Sequence, residues 1–129
     1  MRGLLLGIMG VMGLVGCSSG ATPEELAARA AKTDYDHLLA GHYERFLDGR
    51  AGVDSLPADY REQLLTSCQQ FMAQQAKVHQ GISDVRISNA RIDTLTDYVS
   101  VFLLLSYADS LQEEIVVPMV EHNGRWYMK

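Results

Sequence analysis

Asp34, Tyr35, Asp36 and His37 form the densest polar cluster on the first helical stretch of the chain. Asp34 and His37 stand one helical turn apart, so on a helix a carboxylate could orient an imidazole acting as general base. Adjacent polar residues on a helix more often mark its solvated side, and that is the reading this run favours. The remaining histidines, His42, His79 and His122, are scattered. No pair of the four has the i, i+4 spacing, or the cysteine neighbour, of a zinc site on a helix. No glycine-rich phosphate loop, nucleophile elbow or serine triad pattern occurs. The expectation is therefore a chain with no catalytic residues, no metal and no cofactor.

A different chemistry is written at the N-terminus. Arg2 is followed by thirteen uncharged residues, Leu4 to Gly16, and the next charge is Glu24. A cation followed by an apolar stretch is the pattern of a secretory signal. Leu14-Val15-Gly16-Cys17 then offers an apolar residue, two smaller ones and a cysteine whose thiol can accept a diacylglycerol, as in the lipobox of bacterial lipoproteins. A membrane-spanning anchor needs about 20 apolar residues, and thirteen that include four glycines fall short. The expected organisation is a signal peptide over 1–16, a lipidated Cys17 and tether over 17–21, and one domain over 22–129. The expected address is the bacterial cell envelope, lipid-anchored through Cys17, with Ser18 after the cysteine favouring the outer membrane over the inner.

Cleavage before Cys17 removes Arg2 and makes the formal charge one unit more negative than −5. No run of Lys and Arg offers a phosphate-binding face, which argues against nucleic acid as a partner. With Cys17 carrying lipid, Cys68 has no partner for a structural disulfide. It sits among apolar helix positions, where cysteine behaves as a small buried hydrophobe. A domain of this length buries roughly two thirds of its unfolded surface, enough for a core without staples.

Thr22-Pro23-Glu24-Glu25 combines a hydroxyl N-cap, an early proline and a capping-box glutamate, so a helix begins here and runs to about Ala40. Tyr43, Phe46 and Leu47 fit a short second helix ended by Asp48-Gly49, and the loop Arg50 to Leu56 follows. Tyr60, Leu64, Cys68, Phe71, Met72 and Ala76 recur at intervals of three and four in a third helix after Pro57, predicting a helix packed on something apolar. From Ile82 the period becomes alternating. Four strands follow, the second over Tyr98 to Tyr107 and the last pair joined by Asn123-Gly124, the strongest short hairpin signal. In the second strand Val99, Val101, Leu103, Leu105 and Tyr107 make a wholly apolar face, which should carry the helices. Tyr98, Phe102 and Leu104 alternate with serines on the other face, a composition suited to a protein contact. Pro118 predicts a bulge or an unpaired side in the third strand. The fold class is α+β, N-terminal helices packed on a curved antiparallel four-stranded sheet.

Ala40-Gly41-His42-Tyr43, Tyr98-Val99-Ser100-Val101, Glu113-Glu114 leading to Val117-Pro118-Met119-Val120, and the closing Asn123-Gly124-Arg125-Trp126 together resemble the nuclear transport factor 2-like superfamily. Within it the chain is most similar to a domain of unknown function found in small bacterial lipoproteins, many from Bacteroidetes. The resemblance implies a cone-shaped fold, often with a pocket between sheet and helices and often dimeric, and no particular chemistry. Relatives such as ketosteroid isomerase hold acids inside the cone, whereas the inward phase of the central strand here carries none. Tyr35, Tyr43, Tyr60, Phe71, Met72, Tyr107 and Trp126 are the side chains expected to line any pocket. Such walls suit a small apolar ligand, and the same spacing also describes a filled core. The expected partners are a small apolar ligand or an envelope protein, or a second copy meeting through Tyr98, Phe102 and Leu104.

Overall fold

The computed structural model describes residues 20–129, so the signal segment, the Leu14–Cys17 box and the lipidation site lie outside the described residues. Helix α1 spans Pro23–Leu39, α2 Tyr43–Asp48 and α3 Ala58–His79, with a 3-10 turn at Val53–Ser55. Four strands follow: β1 Ile82–Ile92, β2 Val99–Tyr107, β3 Gln112–His122 and β4 Arg125–Met128. They form one antiparallel sheet in chain order, each joined to the next. Among the described residues no helix is long and apolar enough to cross a membrane.

The capping box at Thr22 is closed as the sequence predicts. Glu25 N–H donates to Thr22 Oγ1 at 3.1 Å, and Thr22 N–H donates to Glu25 Oε1 at 3.0 Å. Alanines face the sheet from α1: Ala27, Ala28 and Ala31 are buried, and their short side chains let the helix lie close on the strands. Beneath them the predicted apolar face of β2 is closed off completely, with Val99, Val101 and Leu103 at 0% exposure. Val85, Leu105, Tyr107, Val117, Met119 and Met128 complete this main core. Complete burial of one such side chain contributes about 1.5–3 kcal/mol, so β2 supplies the chief apolar driving force of the fold.

Turn chemistry sets the register. Asn123 at φ 55° and Gly124 at φ 81° give the two left-handed positions that a tight hairpin needs, pairing His122 with Arg125. Pro118 stays in register opposite Ser100 without a bulge. Its missing N–H falls on the β4 side, where only its carbonyl is used, accepting from Lys129 N–H at 2.9 Å. The irregularities lie instead in β1, between Ile82 and Asp84 and between Ile87 and Asn89. The loop after α2 also pairs: Met128 N–H donates to the Gly49 carbonyl and Ala51 N–H to the Met128 carbonyl, both at 2.7 Å.

Helix α3 departs from the sequence expectation. Leu64, Leu65, Cys68 and Met72 pack on Leu38, Leu47 and Val53 in a second, smaller cluster that does not include the sheet. Polar clamps hold both ends of the helix. Arg61 Nη2 donates to Glu44 Oε1 at 2.7 Å and Asp48 Oδ1 at 3.1 Å, and His79 Nδ1 lies 3.1 Å from Asp109 Oδ2. Its apolar stripe is wider than this contact, so Tyr60 (42% exposed), Phe71 (41%) and Val78 (53%) stay in solvent. Those three positions are separated by 11 and 7 residues, about three turns and two turns, and so align along one flank of the helix.

Candidate functional site

Asp34 is buried, at 9% exposure, where the sequence reading put the solvated side of α1. Its neighbour Asp36 does face solvent, paired with Lys32 at 2.9 Å. The difference follows from coverage: α1 is flanked by the sheet on one side and by α2 with its exit turn on the other. Asp34 meets that turn at Gly49, where an added Cβ would collide with the carboxyl group. Gly49 has φ −80°, an ordinary value for any residue, so it is the space, not the backbone conformation, that requires glycine. Asp34 Oδ2 has no hydrogen-bond partner. Burial pushes the carboxyl up to about 7, with Arg125 pulling in the opposite direction. Asp34 follows Ala31 by three residues and precedes Leu38 by four, and both are buried. That interval was the signal that it belongs to the packed stripe.

His37 does not join Asp34 in a dyad; it lies near His42, with ring centroids 6.2 Å apart. Burial and the nearby Asp34 raise the Tyr35 phenol, and burial raises the Cys68 thiol, which keeps the latter protonated and unreactive. A second polar group forms at the end of α3. Tyr107 O–H donates to Glu113 Oε1 at 2.7 Å, and the His79 and Tyr107 rings lie 4.9 Å apart. Burial, then the Glu113 hydrogen bond, pushes the Tyr107 phenol up to about 12. Asp109 is held below the usual carboxylate range, chiefly by the Leu111 N–H and then by His79. These contacts tie the β2–β3 turn to α3. Among the described residues no three His, Cys, Asp or Glu side chains converge as a metal site.

The seven side chains expected around a pocket are not brought together. Tyr60 and Phe71 are corrections: both sit on the exposed flank of α3, because that helix lies on α2 and not over the sheet. Tyr43 and Met72 pack at the edge of the smaller cluster, while Tyr107 belongs to the main core and Trp126 packs against it. Tyr35 bridges the two clusters, edge-on to Phe46 at 5.3 Å. It alone of the seven lines a pocket of about 280 Å³ beside the end of β4. A wider cleft of about 800 Å³ separates the 48–55 loop from the β3–β4 hairpin, and its walls combine charged side chains, among them Asp48, Arg50, His122 and Arg125, with apolar ones such as Val53 and Val120. Asp34 lines neither space.

Tyr98, Phe102 and Leu104 lie on the sheet face opposite α1, each half-buried. Cations rest on the aromatic rings of this face: Arg91 over Phe102 at 5.6 Å, Lys129 over Tyr98 at 5.4 Å and Arg125 over Tyr127 at 5.3 Å. Such stacking is worth about 0.5–1 kcal/mol at exposed sites. It also leaves the charges available, since none of the three cations has a carboxylate within 4 Å among the described residues. Val116 adds an exposed apolar side chain to the same face.

No family model and no curated protein matches the chain. Among solved structures, the chain is similar to the crystal structure of a Campylobacter jejuni protein described as a "Putative NTF2-like transpeptidase". The TM-score is 0.62 at 12% identity, over 78% of this chain and 94% of that one. At that identity the likeness is one of fold: helices on an open antiparallel sheet of the nuclear transport factor 2-like type.

Proposed function

We propose that this chain is a lipid-anchored protein of the bacterial cell envelope, held through Cys17, whose domain works by contact with another envelope protein and not by catalysis. One observation carries the reading: Tyr60, Phe71 and Val78 of α3, and Val116 on the outer sheet face, are apolar side chains left exposed. A small-ligand carrier needs a concave, mostly apolar site of several hundred Å³. Here the cleft of about 800 Å³ is lined by polar and apolar surface in nearly equal parts and carries several charged side chains, and the pocket that Tyr35 lines is about 280 Å³. The one strongly perturbed carboxyl, Asp34, opens on neither, which removes the ready candidate for an acid or base in a substrate cavity. Exposed apolar patches rimmed by polar residues mark contact surfaces.

A second reading, self-association, is favoured by the outer sheet face, where Tyr98, Phe102 and Leu104 could meet their own copies across a two-fold axis. In-cell photo-crosslinking separates the two. With a benzophenone side chain at Phe71 or Phe102, a discrete adduct with another envelope protein is expected at Phe71. Adducts only at twice the chain's own mass, from Phe102, would favour self-association, and no adduct at either position would overturn both readings.

A further inference from the structure

We propose that Asp34 and the Gly49–Gly52 turn form a proton-controlled latch, in which the protonated carboxyl lets the turn close on α1 and pair with β4, and loss of that proton lifts the turn away from both.

Among the described residues Asp34 is the one buried polar or charged side chain, and its Oδ2 has no hydrogen-bond partner. A protonated carboxyl tolerates such a place because the buried group is neutral. An ionised one does not, since an unpaired buried charge costs more than a few main-chain hydrogen bonds return. Something beside the carboxyl must then give way. The helix that carries it is locked on the sheet through Ala27, Ala28 and Ala31, so α1 is not the part that yields.

The turn after α2 is. Its apolar anchors are Leu47 before it and Val53 after it, both in the smaller cluster. Between them Gly49 touches the carboxyl group, with no room for a Cβ, and Gly52 takes a left-handed φ of 76°. The main-chain hold of this stretch on β4 is two hydrogen bonds, Met128 N–H to the Gly49 carbonyl and Ala51 N–H to the Met128 carbonyl. Its other bonds are local, Arg50 N–H to the Leu47 carbonyl at 2.9 Å and Ser55 N–H to the Gly52 carbonyl at 3.0 Å. The turn therefore moves as a unit once the two bonds to Met128 break.

The same turn decides what Asp34 can reach. Asp48 and Arg50, on either side of Gly49, line the cleft of about 800 Å³, as does Arg125, while Asp34 does not. Gly49 stands between the carboxyl and the cleft. With the turn lifted, the carboxylate meets water and the Arg125 guanidinium, which already favours the charged form. The other titratable groups nearby are spent or neutral. Asp48 is held by Arg61 at 3.1 Å and Asp36 by Lys32 at 2.9 Å. His37 lies by His42, and burial keeps the Tyr35 phenol and the Cys68 thiol protonated. Because burial raises the Asp34 carboxyl from 3.8 to about 7, the latch is closed in mild acid and opens as pH rises through neutrality.

This inference goes beyond the contact reading and does not depend on it. The test is amide hydrogen exchange of the full chain in mild detergent, followed by NMR at about pH 5.5 and about pH 8.5 and expressed as protection factors, which removes the pH dependence of exchange itself. The Ala51 and Met128 amides should lose protection by about tenfold or more at the higher pH, while the Leu103 amide in β2 keeps its own. Asp34→Asn carries no charge at either pH and should leave both amides protected throughout. Gly49→Ala, whose methyl group takes the space of the carboxyl, should expose both at either pH. If Asp34→Asn does not fold, the Asp34 carboxyl carbon resonance of the unaltered chain supplies the comparison, since it should titrate with the same midpoint as the Ala51 amide. Level protection at Ala51 and Met128 while the carboxyl titrates would overturn the proposal, as would a carboxyl already ionised in acid beneath a protected turn. A loss shared equally by Leu103, or a pH-dependent opening that persists in Asp34→Asn, would overturn it as well.

Discussion

Helices α1 and α3 carry apolar side chains at similar intervals, yet the structure treats them in opposite ways. α1 presents alanines to the sheet and is buried along its length. α3 presents larger side chains and has one buried residue, Cys68. Size does not explain this; position does. α1 crosses all four strands, whereas α3 touches α2 and the end of β1. Helical periodicity reports that an apolar stripe exists, and says nothing of what covers it. Under the function proposed above, the stripe left uncovered on this clamped helix is where the partner sits.

Matched truncations separate the two helices most sharply. Leu103→Ala, at a fully buried β2 position under α1, should cost about 2–5 kcal/mol in urea unfolding of the full chain at fixed detergent. Phe71→Ser on the α3 flank should cost no more than about 0.5 kcal/mol. Equal losses would mean that α3 is core after all.

The α1 side should also report its buried acid. Because Asp34 is raised from 3.8 to about 7 in the folded chain, the fold holds this proton over a pH range in which the unfolded chain has lost it. The stabilisation is complete below the unfolded value and disappears as pH rises through about 7, a change of up to about 4 kcal/mol by linkage. Asp34→Asn should flatten that part of the stability–pH curve. An unchanged curve would show that the carboxyl is solvated. Gly49→Ala should be next in size, at about 1–3 kcal/mol, because the new methyl group must displace the Asp34 carboxyl; a neutral result would mean that the turn shifts freely.

Much of this was readable in advance where a residue acts locally. Thr22 and Glu25 close their own box, and Asn123-Gly124 forms its own turn. The alternation of β2 named its buried face correctly because a sheet has only two faces. The side chains that went astray depend on distant neighbours. Asp34 is buried because Gly49 leaves room for it, and nothing within α1 records that. Tyr60 and Phe71 are exposed because the sheet ends before α3. The loop after Gly49 pairs with β4 across nearly eighty positions, a contact with no local signal.

Hydroxyl-radical footprinting of the chain in intact envelopes, and again after purification in detergent, asks whether the uncovered flank of α3 is a contact surface. Tyr60 and Phe71 are expected to be protected in the envelope and to become reactive on purification, while Leu103 stays protected in both. Equal reactivity of Tyr60 and Phe71 in the two states would contradict it.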